Sequence, residues 1–260
     1  MRTLVIVPTH NEADNIAELL TRVRSAAPTA DIMVVDDISS DGTRDRVLDT
    51  AQRLGQIRLE PRGRKAGLGD AYRHGFRIGL AEGYDAMVEI DADHSHDPDD
   101  LPIMLALAEQ GIDLVIGSRY IPGGAVPGWA RRRLWLSRWG NRYAAIMLGL
   151  AINDATAGYR VYRAETLRAI DLDRIRADGY GFQVEMTYRV VELGLKVVEV
   201  PIVFRDRIAG ESKMHRRIVI EAFWLITRWG LSDLFTQRRR RRTLELTSPP
   251  EPHETDIAHR

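Results

Sequence analysis

The stretch V-E-I-D-A-D-H-S-H-D-P, Val88 to Pro98, runs from an apolar strand straight into carboxylates and imidazoles. Asp91 and Asp93 stand two residues apart, and on an extended strand positions i and i+2 point to the same side. Two carboxylates so placed can converge on one ion at an open strand end. Oxygen-only ligation suits a hard divalent cation such as Mg²⁺ or Mn²⁺, whose other positions are left to water or substrate phosphates. The same residue types also make an N-cap and acidic turn ahead of a helix at Leu101, where Asp and Pro are common. Taken alone, the stretch supports both readings.

Working outward, the pattern is an alternation of strands and helices. Strands are expected at Thr3–Val7, Asp31–Val35, Ile57–Leu59, Ala86–Ile90 and Leu114–Gly117. Helices are expected at Asp14–Ala26, Thr43–Leu54, Asp70–Gly83 and Leu101–Gln110. Such alternation predicts an α/β fold, a mostly parallel sheet with helices on both faces. Ligands of open α/β sheets sit outside the carboxyl ends of the strands. Pro8 to Glu12, Asp36-Asp37, Asp91 to Asp93 and Ser118-Arg119 are therefore expected along one rim. Exposed loops explain one or two polar strand ends, but four in succession point to a site.

Beyond Tyr120 the character changes. I-P-G-G-A-V-P-G, from Ile121, has the composition of a mobile lid. Trp129 to Tyr143 mixes arginines with three tryptophans. That mixture fits base stacking, an amphipathic helix at a lipid interface, or a helix that buries its tryptophans and solvates its arginines. Asp154–Tyr162 reads as a loop into a strand, Phe182–Leu193 as a helix and Val197–Arg205 as a strand. D-R-I-A-G-E-S-K reads as a polar loop and Ile218–Phe235 as an apolar-rich helix or helix pair. Residues 237–260, with their arginine run and no apolar periodicity, read as a basic, disordered tail after a domain at residues 1–236.

Composition narrows the function classes. With 260 residues the chain can bury a sizeable core, and 37 basic residues balance 37 acidic ones, so no global field favours nucleic acid. There is no cysteine, which excludes disulfides, thiolate catalysis and zinc–thiolate sites. The apolar run Leu4–Val7 stops at Pro8, unlike a secretory signal, and no window reaches the roughly 18 apolar residues of a spanning helix. A dinucleotide-dependent oxidoreductase is disfavoured because no G-x-G-x-x-G follows the first strand.

Six motifs occur in an order that resembles the inverting GT-A glycosyltransferases. They are P-T-H-N-E at Pro8, V-V-D-D-I-S-S-D-G-T at Val34, D-A-D-H-S-H-D-P at Asp91, G-S-R-Y at Gly117, G-Y-R-V-Y at Gly158 and D-R-I-A-G-E-S-K at Asp206. More narrowly, the chain is similar over about residues 1 to 230 to the dolichol (polyprenol) monophosphate mannose synthases. It departs from their usual tyrosine at His10, from asparagine and proline at Ile38 and Ser40, and meets their glutamine or serine at Ser95.

The resemblance implies a site. Pro8, His10, Glu12, Val35 and Asp37 would hold the guanosine part of GDP-mannose. Asp91 and Ala92 would lie along the nucleotide sugar, and Asp93 with Ser95 would hold Mg²⁺ or Mn²⁺ against the diphosphate. Arg119, Arg207 and Lys213 would reach the phosphates; Asp91, Asp93 and Arg119 are the catalytic candidates. A polyprenyl (dolichyl) phosphate acceptor would be drawn by Arg132, Arg133 and Ser137. The resemblance also implies amphipathic interface helices at about 130–150 and 216–236, a peripheral place on the cytoplasmic face of a membrane, and a possible separate membrane-anchoring subunit. The alternatives are another nucleotide sugar such as UDP-glucose and a non-catalytic nucleotide-sugar or RNA-binding module.

Overall fold

A computed structural model describes residues 1–64, 67–175, 177, 179–206 and 223–231. Seven strands form one sheet: β1 (Thr3–Thr9), β2 (Asp31–Asp37), β3 (Ile57–Arg62), β4 (Ala86–Glu89), β5 (Leu114–Ser118), β6 (Arg160–Arg163) and β7 (Val197–Pro201), in the order β3-β2-β1-β4-β6-β5-β7. Every pairing is parallel except those of β6, which is antiparallel to both β4 and β5. The expected mostly parallel α/β sheet is what the chain forms. The antiparallel insertion of β6 is what the alternation did not show.

The strands read as continuous apolar runs because both faces are covered. On β1, Val5 and Val7 pack with α1 (Ile16–Ala26), α2 (Thr43–Leu54) and α4 (Leu101–Glu109). Leu4 and Ile6 face α3 (Leu68–Ala81), α5 (Arg131–Leu148), α6 (Ala164–Ala169) and α7 (Gly179–Glu192). Ile16, Leu19, Leu20 and Val23 form one fully buried stripe of α1, each contributing about 1.5–3 kcal/mol by burial. α3 approaches the sheet so closely that a Cβ at Gly75 would lie 2.8 Å from Ile6 Cγ2.

The loop from Ile121 does not stand free as its composition suggests. Ala125 N–H donates to Ile202 O at 3.0 Å, and Phe204 N–H donates to Ala125 O at 2.9 Å. Gly124 passes so near β5 that a Cβ there would sit 2.7 Å from Ser118 O. Backbone pairing beyond β7 thus ties this segment of lid-like composition to the sheet edge at Ala125. The strand expected to reach Arg205 ends at Pro201, with a single bridge from Ala125 to Val203.

Candidate active site

The ends of β1 and β2 are tied to each other by polar side chains. Thr9 Oγ1 donates to Asp36 Oδ1 at 3.0 Å, and Arg44 Nε and Ser39 also donate to that buried carboxylate. Burial pushes the Asp36 carboxyl up, but these donors outweigh it and leave the group below its usual range. Asn11 N–H donates to Ser39 Oγ and Ser40 N–H to Asn11 Oδ1, both at 2.9 Å. Glu12 N–H meets Thr43 Oγ1 at 2.8 Å.

The residues expected around guanosine gather here. His10 Nδ1–H donates to Asp37 O at 2.6 Å, which in a neutral ring leaves Nε2 as acceptor. Asp37 lies on the same strand end, and Arg62 forks onto both its oxygens at 2.6 and 2.9 Å while also donating to Asp70 at 2.8 Å. Glu12 Oε2 accepts from Asn15 at 3.0 Å. Pro8 pairs with Val35 across β1 and β2. The Val35 side chain is in the core, so only its backbone faces the rim. Asn11, Ile38 and His94, each just past a strand of the rim, take φ of 57°, 50° and 59°. Such left-handed non-glycine residues concentrate at functional turns.

At the end of β4, Tyr72 of α3 donates to Asp91 Oδ1 at 3.0 Å. Its ring is stacked between Phe76 and Phe182 at 6.3 and 6.4 Å, and burial together with Asp91 pushes its hydroxyl pKa well up, so it stays a donor. Asp93 closes a turn by accepting from Ser95 N–H at 3.1 Å. The helix-capping role falls to Asp97, which accepts from Asp99 N–H at 3.1 Å. Ala92 is buried beside these carboxylates.

Among the described residues no group of three or more His, Asp or Glu side chains could enclose a metal ion. The pair Asp93 and Ser95 nevertheless fits an oxygen-ligated cation. Both are buried, and Ser95 Oγ has no hydrogen-bond partner among the described residues. A cation completed by substrate phosphates needs only one or two protein carboxylates.

Arg119 enters from the end of β5. It forks onto Asp154 at 2.7 and 2.6 Å and donates to Thr156 Oγ1 at 2.8 Å. Its Cζ lies 5.1, 5.8 and 5.4 Å from the ring centroids of Tyr120, Trp129 and Phe204. His96 packs on Tyr159 and Phe204 at 5.2 and 5.4 Å, and burial lowers its pKa to about 4. This imidazole is neutral near pH 7.

The acceptor candidates divide. Arg133 lies 3.9 Å over the Trp129 ring and donates to both Asp206 oxygens at 2.8 and 3.0 Å. Ser137, one turn on, accepts from Tyr120 O–H at 2.6 Å. Tyr120 and Trp129 therefore link both residues to Arg119. Arg132 is exposed, and at about 100° per residue it stands away from the Arg133–Ser137 face. Arg207 and Lys213 lie outside the described residues, as do the tail and most of the second interface segment.

Around the outer side of α5, Trp135, Leu136, Trp139 and Ile146 are exposed, as are Trp224 and Leu231 of the helix at residues 223–231. Trp139 stacks with Trp135, Tyr143 and Phe223 at 6.3, 5.8 and 5.2 Å. Five arginines and no acid lie on α5. Among the described residues no helix is long and apolar enough to cross a membrane.

Sequence reasoning missed Arg62, Tyr72 and Asp154, the partners that hold Asp37, Asp91 and Arg119. It also missed Glu89, fully buried two residues before Asp91, whose Oε2 accepts from Gln183 Nε2 at 2.8 Å. Burial raises the Glu89 pKa to about 8 against the opposing pull of Arg160. A charged residue in an apolar strand was the available signal.

The comparisons with known proteins place the chain in a family. Residues 4–171 match the family described as glycosyl transferase family 2; the chain belongs to that family and is a glycosyltransferase. It is 52% identical over 232 residues to a protein of Micrococcus luteus named undecaprenyl-phosphate mannosyltransferase, covering 89% of this chain and 95% of that one. It is 46% identical over 239 residues to the polyprenol monophosphomannose synthase of Mycolicibacterium smegmatis, covering 92% and 90%. Among solved structures, glucosyl-3-phosphoglycerate synthase from Mycobacterium tuberculosis in complex with uridine diphosphate matches with a TM-score of 0.65 and 19% identity over 88% of this chain and 80% of that one. A structure of that synthase with Mn²⁺, uridine diphosphate and glucosyl-3-phosphoglycerate gives 0.59 and 20% over 90% and 79%. These structural likenesses establish the GT-A type of fold.

Proposed function

We propose that the protein transfers mannose from GDP-mannose to a polyprenyl (dolichyl) monophosphate, with inversion, at a membrane surface. The observation that carries this reading is one rim with two ends. Asp37, Asp91, Asp93 and Arg119 stand at strand ends suited to a nucleotide sugar, and Tyr120 and Trp129 join Arg119 to Arg133 and Ser137 at the other end. The names of the two relatives support the acceptor and the sugar.

Displacement at the anomeric carbon passes through an oxocarbenium-like state while negative charge accumulates on the departing diphosphate. A divalent cation, Mg²⁺ or Mn²⁺, held by Asp93 and Ser95, supplies neutralisation of that charge when bound. Asp91, its orientation fixed by Tyr72, faces the donor sugar, and Arg119 adds positive charge fixed by Asp154. Arg207 and Lys213 join through the family resemblance. A sugar hydroxyl acceptor would need a base to remove its proton. A lipid monophosphate is already an anion, so positioning by Arg133 and Ser137 suffices. The exposed aromatics of α5 and residues 223–231, flanked by arginines, support peripheral contact with the cytoplasmic face of a membrane, either directly or beside an anchoring subunit.

The test is to incubate purified protein with Mg²⁺ or Mn²⁺, a short polyprenyl phosphate and labelled nucleotide sugars, then extract with organic solvent. Label from GDP-mannose should become organic-soluble, with loss of at least about 100-fold in Asp93→Ala. Preference for UDP-glucose would replace the donor assignment. Nucleotide binding without transfer would favour a binding module.

A further inference from the structure

Trp129 stands where the loop from Ile121 meets α5. Arg133 Cζ lies 3.9 Å and Arg119 Cζ 5.8 Å from its ring centroid, and Phe204 meets the ring edge-on at 5.7 Å. The backbone pairing of Ala125 with Ile202 and Phe204 fixes the approach to it. One atom of this held ring is left over. Its Nε1 is buried and has no hydrogen-bond partner among the described residues.

An indole N–H only donates, and a buried donor without a partner is costly. Two guanidinium groups lie beside the ring, each now paired with a carboxylate, Arg119 with Asp154 and Arg133 with Asp206; an anionic oxygen that takes the place of Asp206 on Arg133 is the acceptor that this pair of cations favours. The start of α5 adds to this. Its N-cap is Ala130, which offers no side-chain hydrogen bond to the first turn, and open N–H groups at a helix start favour anions. The present counter-ion of Arg133 is Asp206, about half exposed, a surface partner that an incoming anion can replace.

We propose that the Trp129 indole N–H donates directly to the phosphate of the lipid acceptor, alongside Arg133 and Ser137. This rests on the polyprenyl-phosphate reading of the same site. Phosphate oxygens are carried by the nucleotide as well, so the experiment has two arms.

Protein labelled with ¹⁵N on its five tryptophans is titrated separately with farnesyl phosphate and with GDP plus Mg²⁺. The Trp129 indole signal is assigned by its absence in Trp129→Phe, or, if that variant fails to fold, by single Phe replacements at the other four. The expected result is a downfield shift of that N–H with farnesyl phosphate and none with GDP. No shift with farnesyl phosphate, or a shift with GDP alone, overturns the proposal.

In steady state, Trp129→Phe keeps an aromatic ring under Arg133 but removes the donor. It should raise the KM for farnesyl phosphate about tenfold, with kcat and the KM for GDP-mannose within twofold of wild type. An unchanged acceptor KM would also overturn it. Absence of mannose transfer in the wild type, with the shift intact, would count against the enzymatic reading and leave the phosphate contact standing.

Discussion

The ends of β1 and β2 and the edge at α5 are built on opposite lines. On the first, Asp36 is held by Thr9, Ser39 and Arg44, Asp37 by Arg62, and the two loops exchange bonds through Asn11, Ser39 and Ser40. At the second, Trp129 Nε1 is buried without a partner among the described residues, and tryptophans face outward. A rim whose donors and acceptors are already matched is preorganised for one soluble ligand. An edge with an unmatched donor and an apolar face suits an anion that arrives attached to lipid.

The sharpest way to break the link between the two regions is to remove the carboxylate that Arg119 forks onto. Asp154→Ala removes the buried carboxylate that accepts from Arg119 Nε and Nη2 and should cost about 3–5 kcal/mol, read by urea denaturation; a loss below 1 kcal/mol would mean that Arg119 is held by other contacts.

A large pH effect should come from Glu89. Its folded pKa of about 8 lies above the ordinary 4.5, so the folded state keeps a proton that the unfolded chain releases. Stability from this group is full below pH 4.5 and falls as pH rises to about 8, at roughly 1.4 kcal/mol per pH unit. Glu89→Gln should flatten that fall in melting curves between pH 5 and 9. Parallel curves for the two proteins would contradict a neutral Glu89. Arg160, Gln183 and Asp91 are the groups acting on it.

The outer face should matter for lipid and not for folding. Trp135→Ala with Trp139→Ala should lower flotation with anionic liposomes about tenfold, a difference of roughly 1.4 kcal/mol, while the melting temperature holds. Equal flotation would remove this face from the membrane contact. The smallest effect concerns the first region. Ile38 is β-branched at φ 50°, where the resembled family often carries asparagine, which tolerates that conformation. Ile38→Asn should therefore raise stability by about 1 kcal/mol in denaturant unfolding; a loss would mean that the isoleucine makes contacts worth more than its strain.

The first region was the more legible. β1 to β5 and the helices between them follow from apolar periodicity, and their polar ends follow from the rule for open sheets. What stayed hidden depends on sheet order. The bond from Arg62 to Asp37 spans 25 residues and that from Arg119 to Asp154 spans 35, so no local spacing announces either. β6 contributes four residues, Arg160–Arg163, antiparallel between β4 and β5, and a strand that short carries little periodic signal. At α5 the sequence showed arginines and tryptophans together without saying which faced in; the structure turns Arg133 and Ser137 towards Arg119 and leaves Trp135 and Trp139 outside.

The division into a donor rim and an acceptor edge is tested most directly by initial-rate kinetics of Asp37→Asn and Arg133→Ala with both substrates varied. Asp37→Asn should raise the KM for GDP-mannose about tenfold and leave that for polyprenyl phosphate unchanged, and Arg133→Ala should do the reverse. If either variant moved both constants together, or if Arg133→Ala changed donor affinity alone, the two-ended site would be contradicted.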